Sequence, residues 1–140
     1  MSPKLIIFLV FAILTFISCS NSNTDSMPPK TLEKITATAL KDLSGSDLNP
    51  LKIIDVRSDQ EFKLEHIPSS ISLPYDAGHF DAIYSRLDWD KTLLIVVVDD
   101  YEHRSLDAAQ KLIQSGFTNV QILESGFVEW KANGFQIEKG

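Results

Sequence analysis

From about Leu32 to the C-terminus, short apolar runs of two different periods alternate along the chain. Lys52 to Val56 (KIIDV) and Leu93 to Val98 (LLIVVV) are brief, β-branched and nearly continuous, the pattern of strands covered on both faces. Val120 to Leu123 is a further buried-strand candidate. Between these runs the period changes. Leu106, Ala109, Leu112 and Ile113 recur at helical spacing, and Gly116 stands where a helix C-cap belongs. Ser58 with Glu61 three residues on has the form of a capping box, which predicts a helix directly after Asp55-Val56-Arg57. Gly126 to Ala132 reads as a short amphipathic helix carrying Phe127 and Trp130 as core residues, and Asp47 to Pro50 as a loop. Strand alternating with helix specifies an α/β domain with a mostly parallel sheet of about five strands flanked by helices. In such sheets the functional crevice lies at the carboxyl ends of the strands, where Asp55, Arg57 and the segment Asp99 to Arg104 fall.

The N-terminus follows a different pattern. Lys4 precedes about thirteen nearly unbroken apolar residues, Leu5 to Ile17, ending at Ser18-Cys19-Ser20. A membrane span takes about twenty, so this run reads as a secretory signal, residues 1–18. Cys19, the one cysteine of the chain, follows it directly, as in the lipobox of bacterial lipoproteins, which that placement resembles. The resemblance implies cleavage before Cys19 and a lipid on it, with Phe16 departing from the usual Leu. Cleavage before Asn21, giving a soluble protein, and an uncleaved anchor are the alternatives; all three place the domain outside the cytoplasm, in the cell envelope. Residues 19–32 are polar with a Pro-Pro pair and read as a tether, leaving 33–140 as the domain.

Charge narrows the function classes. The chain has 140 residues and a formal charge of −6; removing residues 1–18, which carry Lys4 and no acid, leaves 12 basic against 19 acidic residues, or −7. With no Lys/Arg cluster to offset this, nucleic acid is excluded as a partner.

The sharpest candidate chemistry is the loop Asp99-Asp100-Tyr101-Glu102-His103-Arg104-Ser105, between a strand and a helix. A strand that empties into a helix N-terminus aims backbone N–H groups into one small bowl, a ready anion site. Its first residue is a carboxylate. Asp99 could fill the bowl from inside, accepting loop N–H bonds and pairing with Arg104. An aspartyl-phosphate role would want a second Asp two residues on, where Tyr101 stands. The string IVVVDD looks like the start of a receiver domain, but only forty residues follow Asp100, too few for that fold. Metal binding by Asp99, Asp100, Glu102 and His103 is a further alternative, although consecutive residues on a tight loop seldom converge. No metal or other cofactor is expected.

Four segments, in order and spacing, identify a family resemblance: IIDVRSDQEF (Ile53 to Phe62), EHIPSSISLP (Glu65 to Pro74), LLIVVVDDYEHRSLDAAQKLIQSGF, and ILESGFVEWKANGF (Ile122 to Phe135). Together they resemble the rhodanese-like domain, over roughly Ile35 to Gly140. Rhodaneses carry sulfur as a persulfide on a Cys at the head of a loop of the form Cys, four residues, Arg, then a small hydroxyl or Gly. Counting back five from Arg104 reaches Asp99, so the resemblance implies a fold whose nucleophile is replaced by a carboxylate. A carboxylate forms no stable persulfide. It would also repel an anionic donor by about 4 kcal/mol at 4 Å and an effective dielectric near 20, against about 1 to 2 kcal/mol returned by the helix terminus.

The expectation is therefore a lipid-anchored rhodanese-like protein without sulfurtransferase activity, whose loop Asp99 to Ser105 binds an unknown protein partner or is vestigial. The competing reading is sulfur transfer through an external thiol. Asp55 and Arg57 resemble the family's Asp-Val-Arg motif and are expected as an ion pair or hydrogen-bond anchor. His66 resembles the family's His-Ile-Pro turn and is expected as a satisfied turn residue.

Overall fold

The structure is a computed structural model that describes residues 32–46, 50–76 and 78–140. The expected signal, Cys19 and nearly all of the tether lie outside the described residues.

Five strands, β1 (Glu33–Ile35), β2 (Leu51–Asp55), β3 (Ile71–Ser72), β4 (Leu94–Val98) and β5 (Val120–Leu123), form one sheet. Its order is β1-β5-β4-β2-β3 and every pairing is parallel. Five helices accompany them: α1 (Ala37–Ser44), α2 (Asp59–Leu64), α3 (His79–Tyr84), α4 (His103–Gln114) and α5 (Gly126–Ala132). The continuous apolar strands have a direct cause: Ile95 to Val98 of β4 are each 0% exposed because both faces of the sheet are covered. Side chains alternate, so Ile95 and Val97 join Ile54 and Ile122 against Phe80 of α3 and Ala108, Ala109 and Leu112 of α4. Val96 and Val98 join Ile53 and Leu123 against Ala37 and Leu40 of α1 and Phe127 and Trp130 of α5.

Two helix boundaries follow the sequence signals closely. Ser58 caps α2 with both halves of the capping box made. Gly116, at φ 99°, lies just past the end of α4 in the left-handed conformation that suits glycine. The stripe expected on α4 needs one correction: Leu106 is exposed and Ala108 takes the inward place, because the face that meets the sheet turns toward Ala108, Ala109 and Leu112. Four elements, β1, α1, β3 and α3, are not among those the sequence pattern predicts. β1 and β3 span three and two residues, too few for a period to show.

The order of strands reverses between β2 and β4: the chain leaves β2 toward β3 and leaves β4 toward β5. The loops after these two central strands therefore run apart and open a crevice at the carboxyl rim of the sheet. Their register, Asp55 opposite Val98, brings Asp55 and Asp99 to the same rim.

Candidate functional site

At that rim, Asp99 turns inward. Its residue is 3% exposed, and its carboxylate accepts the N–H of Asp100 at 2.8 Å and the N–H of Arg104 at 2.8 Å. The Arg104 guanidinium adds Nε at 2.8 Å and Nη2 at 2.6 Å to the same oxygen, Oδ1. The residue preceding α4, Glu102, offers no side-chain cap to its own helix. Asp99 supplies one instead, so the anion seat at this helix terminus is occupied by the chain's own carboxylate. Isolated in the interior, that charge would cost several kcal/mol; the two N–H groups and the arginine fork offset the cost.

Glu102 points elsewhere. Its backbone is left-handed at φ 85°, a conformation that costs a non-glycine residue about 1 kcal/mol or more. The carboxylate holds it there by accepting the N–H of Ser125 at 2.8 Å and the Lys34 ammonium at 2.6 Å. Ser125 is itself left-handed at φ 56°, so one side chain braces two strained turns. Ser105 is fully buried, its hydroxyl donating to the Glu102 carbonyl at 2.9 Å. Tyr101 is 68% exposed, and His103 is also exposed. The seven-residue loop thus divides: Asp99 and Ser105 are internal, while Asp100, Tyr101, His103 and the outer edge of Arg104 meet solvent. The carboxylates of Asp99 and Glu102 diverge, and among the described residues no three His, Cys, Asp or Glu side chains are grouped to hold a metal ion.

Asp55 and Arg57 meet beside this loop. Both are buried, with Arg57 Nη2 on Asp55 Oδ2 at 2.7 Å and Nε on Oδ1 at 3.0 Å. The same guanidinium donates to the Glu65 carbonyl at 2.8 Å and lies 3.9 Å from the Phe127 ring centroid. One arginine thus ties the end of β2 to the far end of α2 and to α5. His66 stacks on Phe62 at 3.9 Å, and its Nδ1 lies 2.8 Å from the Phe62 carbonyl, an acceptor that requires this nitrogen to carry the proton. Its backbone exchanges hydrogen bonds with Glu138, which fastens the C-terminal segment to the domain.

Residues the sequence reading did not assign to the site complete it. Glu61, noticed there only as a cap, contacts Arg104 at 3.5 Å, and Asp100 lies 3.5 Å from Arg57 and 3.7 Å from Arg104. Partial burial pushes the Asp100 carboxyl up, reinforced by a hydrogen bond to Glu61 and by that neighbour's charge, with Arg57 pulling the other way. Burial opposes ionisation of Glu61 too, but the Ser58 hydroxyl and backbone N–H, then Asp100 and Arg104, outweigh it and hold its carboxyl at about 2. Lys34 on β1 and Gly126 were also overlooked. The i, i+3 spacing of Ser58 and Glu61 was the only local signal for any of these.

This geometry has relatives. The family model for the rhodanese-like domain matches residues 36–133. The chain belongs to the rhodanese-like domain family. Thiosulfate sulfurtransferase GlpE of Pseudomonas savastanoi pv. phaseolicola is 34% identical over 80 residues, 57% of this chain and 72% of that protein. Adenylyltransferase and sulfurtransferase UBA4 of Candida albicans is 35% identical over 82 residues, 56% of this chain and 19% of that protein. Among solved structures, a rhodanese-like domain from Anabaena superposes with a TM-score of 0.66 at 26% identity, covering 76% of this chain and 79% of that one. A rhodanese-like domain protein from Staphylococcus aureus gives 0.62 at 25% identity, covering 78% and 99%.

Two predictions follow from this rhodanese-like site. A Cβ at Gly126, where φ is +65°, would lie 2.2 Å from the Asp100 carbonyl oxygen and 2.3 Å from that of Asp99. Gly126→Ala should therefore destabilise the fold by about 3 kcal/mol or more, read from urea unfolding. The second concerns pH. A raised carboxyl contributes stability below its ordinary value of 3.8, lost as pH rises through the folded value; Glu61, held low, contributes above 4.5 and loses it only toward about 2. Asp100→Asn removes the first effect, so the variant should gain stability relative to the parent as pH rises above 3.8 in thermal melts.

Proposed function

We propose that this is a rhodanese-like domain without sulfurtransferase activity that serves as a binding module in the cell envelope. The observation that carries the reading is the occupation of the loop. Asp99 follows β4 directly and precedes Arg104 by five residues, the spacing at which the resemblance sets the sulfur-bearing cysteine. A thiolate or persulfide anion in that seat would draw on the same N–H groups and the same arginine that Asp99 uses. A carboxylate oxygen cannot accept and hold a sulfane sulfur. The one cysteine of the chain, Cys19, lies outside the domain matched by the family model and offers no substitute. A free anionic donor would also find the seat taken and Asp100 and Glu61 at its edge.

What supports a binding role is the retention of a rigid, fully braced loop whose outer residues remain accessible. Rigid presentation of exposed side chains is what recognition requires, with or without catalysis. The envelope location rests on the signal-like run Leu5 to Ile17 and on Cys19 directly after it, with the lipid as membrane anchor.

The expected outcome in cyanide-dependent thiocyanate formation from thiosulfate is no turnover by the parent and measurable, weak turnover by Asp99→Cys. Activity of the parent equal to that of the variant would overturn the noncatalytic reading. For the anchor, metabolic labelling with an alkyne analogue of palmitate should mark the parent and leave Cys19→Ala unmarked; equal labelling of both would refute lipidation at this residue.

A further inference from the structure

Beside the loop, α2 and α5 flank an open cleft of about 290 Å³, with Arg57 and Phe127 among the residues that line it and Asp100 on its loop side. Its charge balance is incomplete. Three basic side chains at the cleft are each matched at short range by one acid, Arg57 by Asp55 at 2.7 Å, Arg104 by Asp99 at 2.6 Å, and Lys131 by Glu65 at 2.5 Å, while Lys139 adds a more distant charge near Glu65. Asp100 and Glu61 have no arginine or lysine of their own at short range, Glu61 resting on its capping bonds to Ser58. The arginines reach these two only at 3.5 to 3.7 Å, with their short bonds already directed elsewhere. The Asp100 carboxyl is displaced upward first by its partial burial and then by Glu61 beside it, with Arg57 opposing.

Exposed apolar side chains line the same cleft. Six large hydrophobic side chains are exposed among the described residues, and two of them, Leu64, the most exposed at 71%, and Val128, are in its lining. Leu64 ends α2, Val128 stands opposite on α5, and Tyr101 adjoins Asp100 in the loop. A small recess that combines charged groups with exposed apolar side chains is the anatomy of a seat for one anchoring side chain. At about 290 Å³ it stands at the lower limit of ligand cavities, with room for a side chain and none for a folded element.

We propose that this cleft seats one basic side chain, arginine in particular, carried on an apolar-flanked segment of a partner protein. This rests on the reading of the domain as a binding module and names the chemistry of its partner. An entering guanidinium supplies the missing positive charge, and its planar fork spans two carboxylates where an ammonium meets one. The residues flanking it on the partner cover Leu64 and Val128. An acidic segment would add to the negative charge of Asp100 and Glu61 and is disfavoured at this mouth.

The test is a titration of the ¹⁵N-labelled chain with three blocked tripeptides, acetyl-Leu-Arg-Leu-amide and its citrulline and glutamate analogues, followed by amide shifts. The arginine peptide should shift Leu64, Asp100 and Val128, saturating in the millimolar range. The citrulline peptide should bind at least fivefold more weakly, and Asp100→Asn should weaken the arginine peptide at least threefold. Leu64→Ser, at an exposed position that leaves the core intact, should weaken both the arginine and citrulline peptides. Equal binding of arginine and citrulline peptides, preference for glutamate, shifts confined to other surfaces, or no shift would each overturn the proposal. So would concentration-dependent shifts at these amides without peptide, which would give the cleft to a second copy of the chain. Thiocyanate formation is measured separately, so turnover by the parent defeats the noncatalytic reading without deciding the titration.

Discussion

A buried carboxylate at the start of a helix governs the arrangement of this site. Asp99 can be inside only because two backbone N–H groups and a guanidinium meet it, and each of those partners is thereby fixed in turn. The N–H of Arg104 belongs to the first turn of α4, so the carboxylate sets where that helix begins. The Arg104 side chain is drawn in over the loop, and its outer edge is carried toward Glu61 and Asp100. Loop conformation, helix start and the charge pattern of the mouth are consequences of one satisfied ion.

The surrounding structure makes the loop that holds it rigid. Left-handed turns at Glu102 and Ser125 are unfavourable in isolation, and the Glu102 carboxylate links them to each other and to Lys34 on the edge strand. From below, Gly126 lets the chain pass against the carbonyls of Asp99 and Asp100, and the Phe127 N–H donates to the Asp99 carbonyl at 2.7 Å. On the other side, the Asp55–Arg57 pair fastens β2 to α2 and α5. A rhodanese-like scaffold organised in this way presents its outer loop residues in a fixed geometry. Such preorganisation lowers the entropic cost of binding as effectively as it serves catalysis.

Charge at the rim is arranged in matched pairs with a remainder. Burial forces Asp55 and Asp99 to take the best geometry of Arg57 and Arg104, since an unpaired internal charge is far costlier than an unpaired surface one. The more exposed acids, Asp100 and Glu61, receive only long contacts from the arginines. The same ordering by burial explains why the displacement toward the neutral form falls on Asp100 while Glu61, supported by its capping bonds to Ser58, stays ionised.

Much of this was legible in the chain because its causes are local. Continuous β-branched runs in Lys52 to Val56 and Leu93 to Val98 dictate strands covered on both faces; Ser58 with Glu61 dictates where α2 starts; the helical period before Gly116 dictates α4 and its end. The four ordered motifs carried the rhodanese-like resemblance, and with it Asp55, Arg57, Asp99 and Arg104 as residues of interest. What no local pattern encodes is which groups from distant segments come to share one rim. Lys34 and Glu102 are 68 residues apart, and Arg104 and Glu61 are 43 apart, joined only because parallel pairing aligns the carboxyl ends of β1, β5, β4 and β2. Sequence fixes what each segment prefers; the distribution of two arginines among four acids depends on distance and burial, which exist only once the sheet has formed.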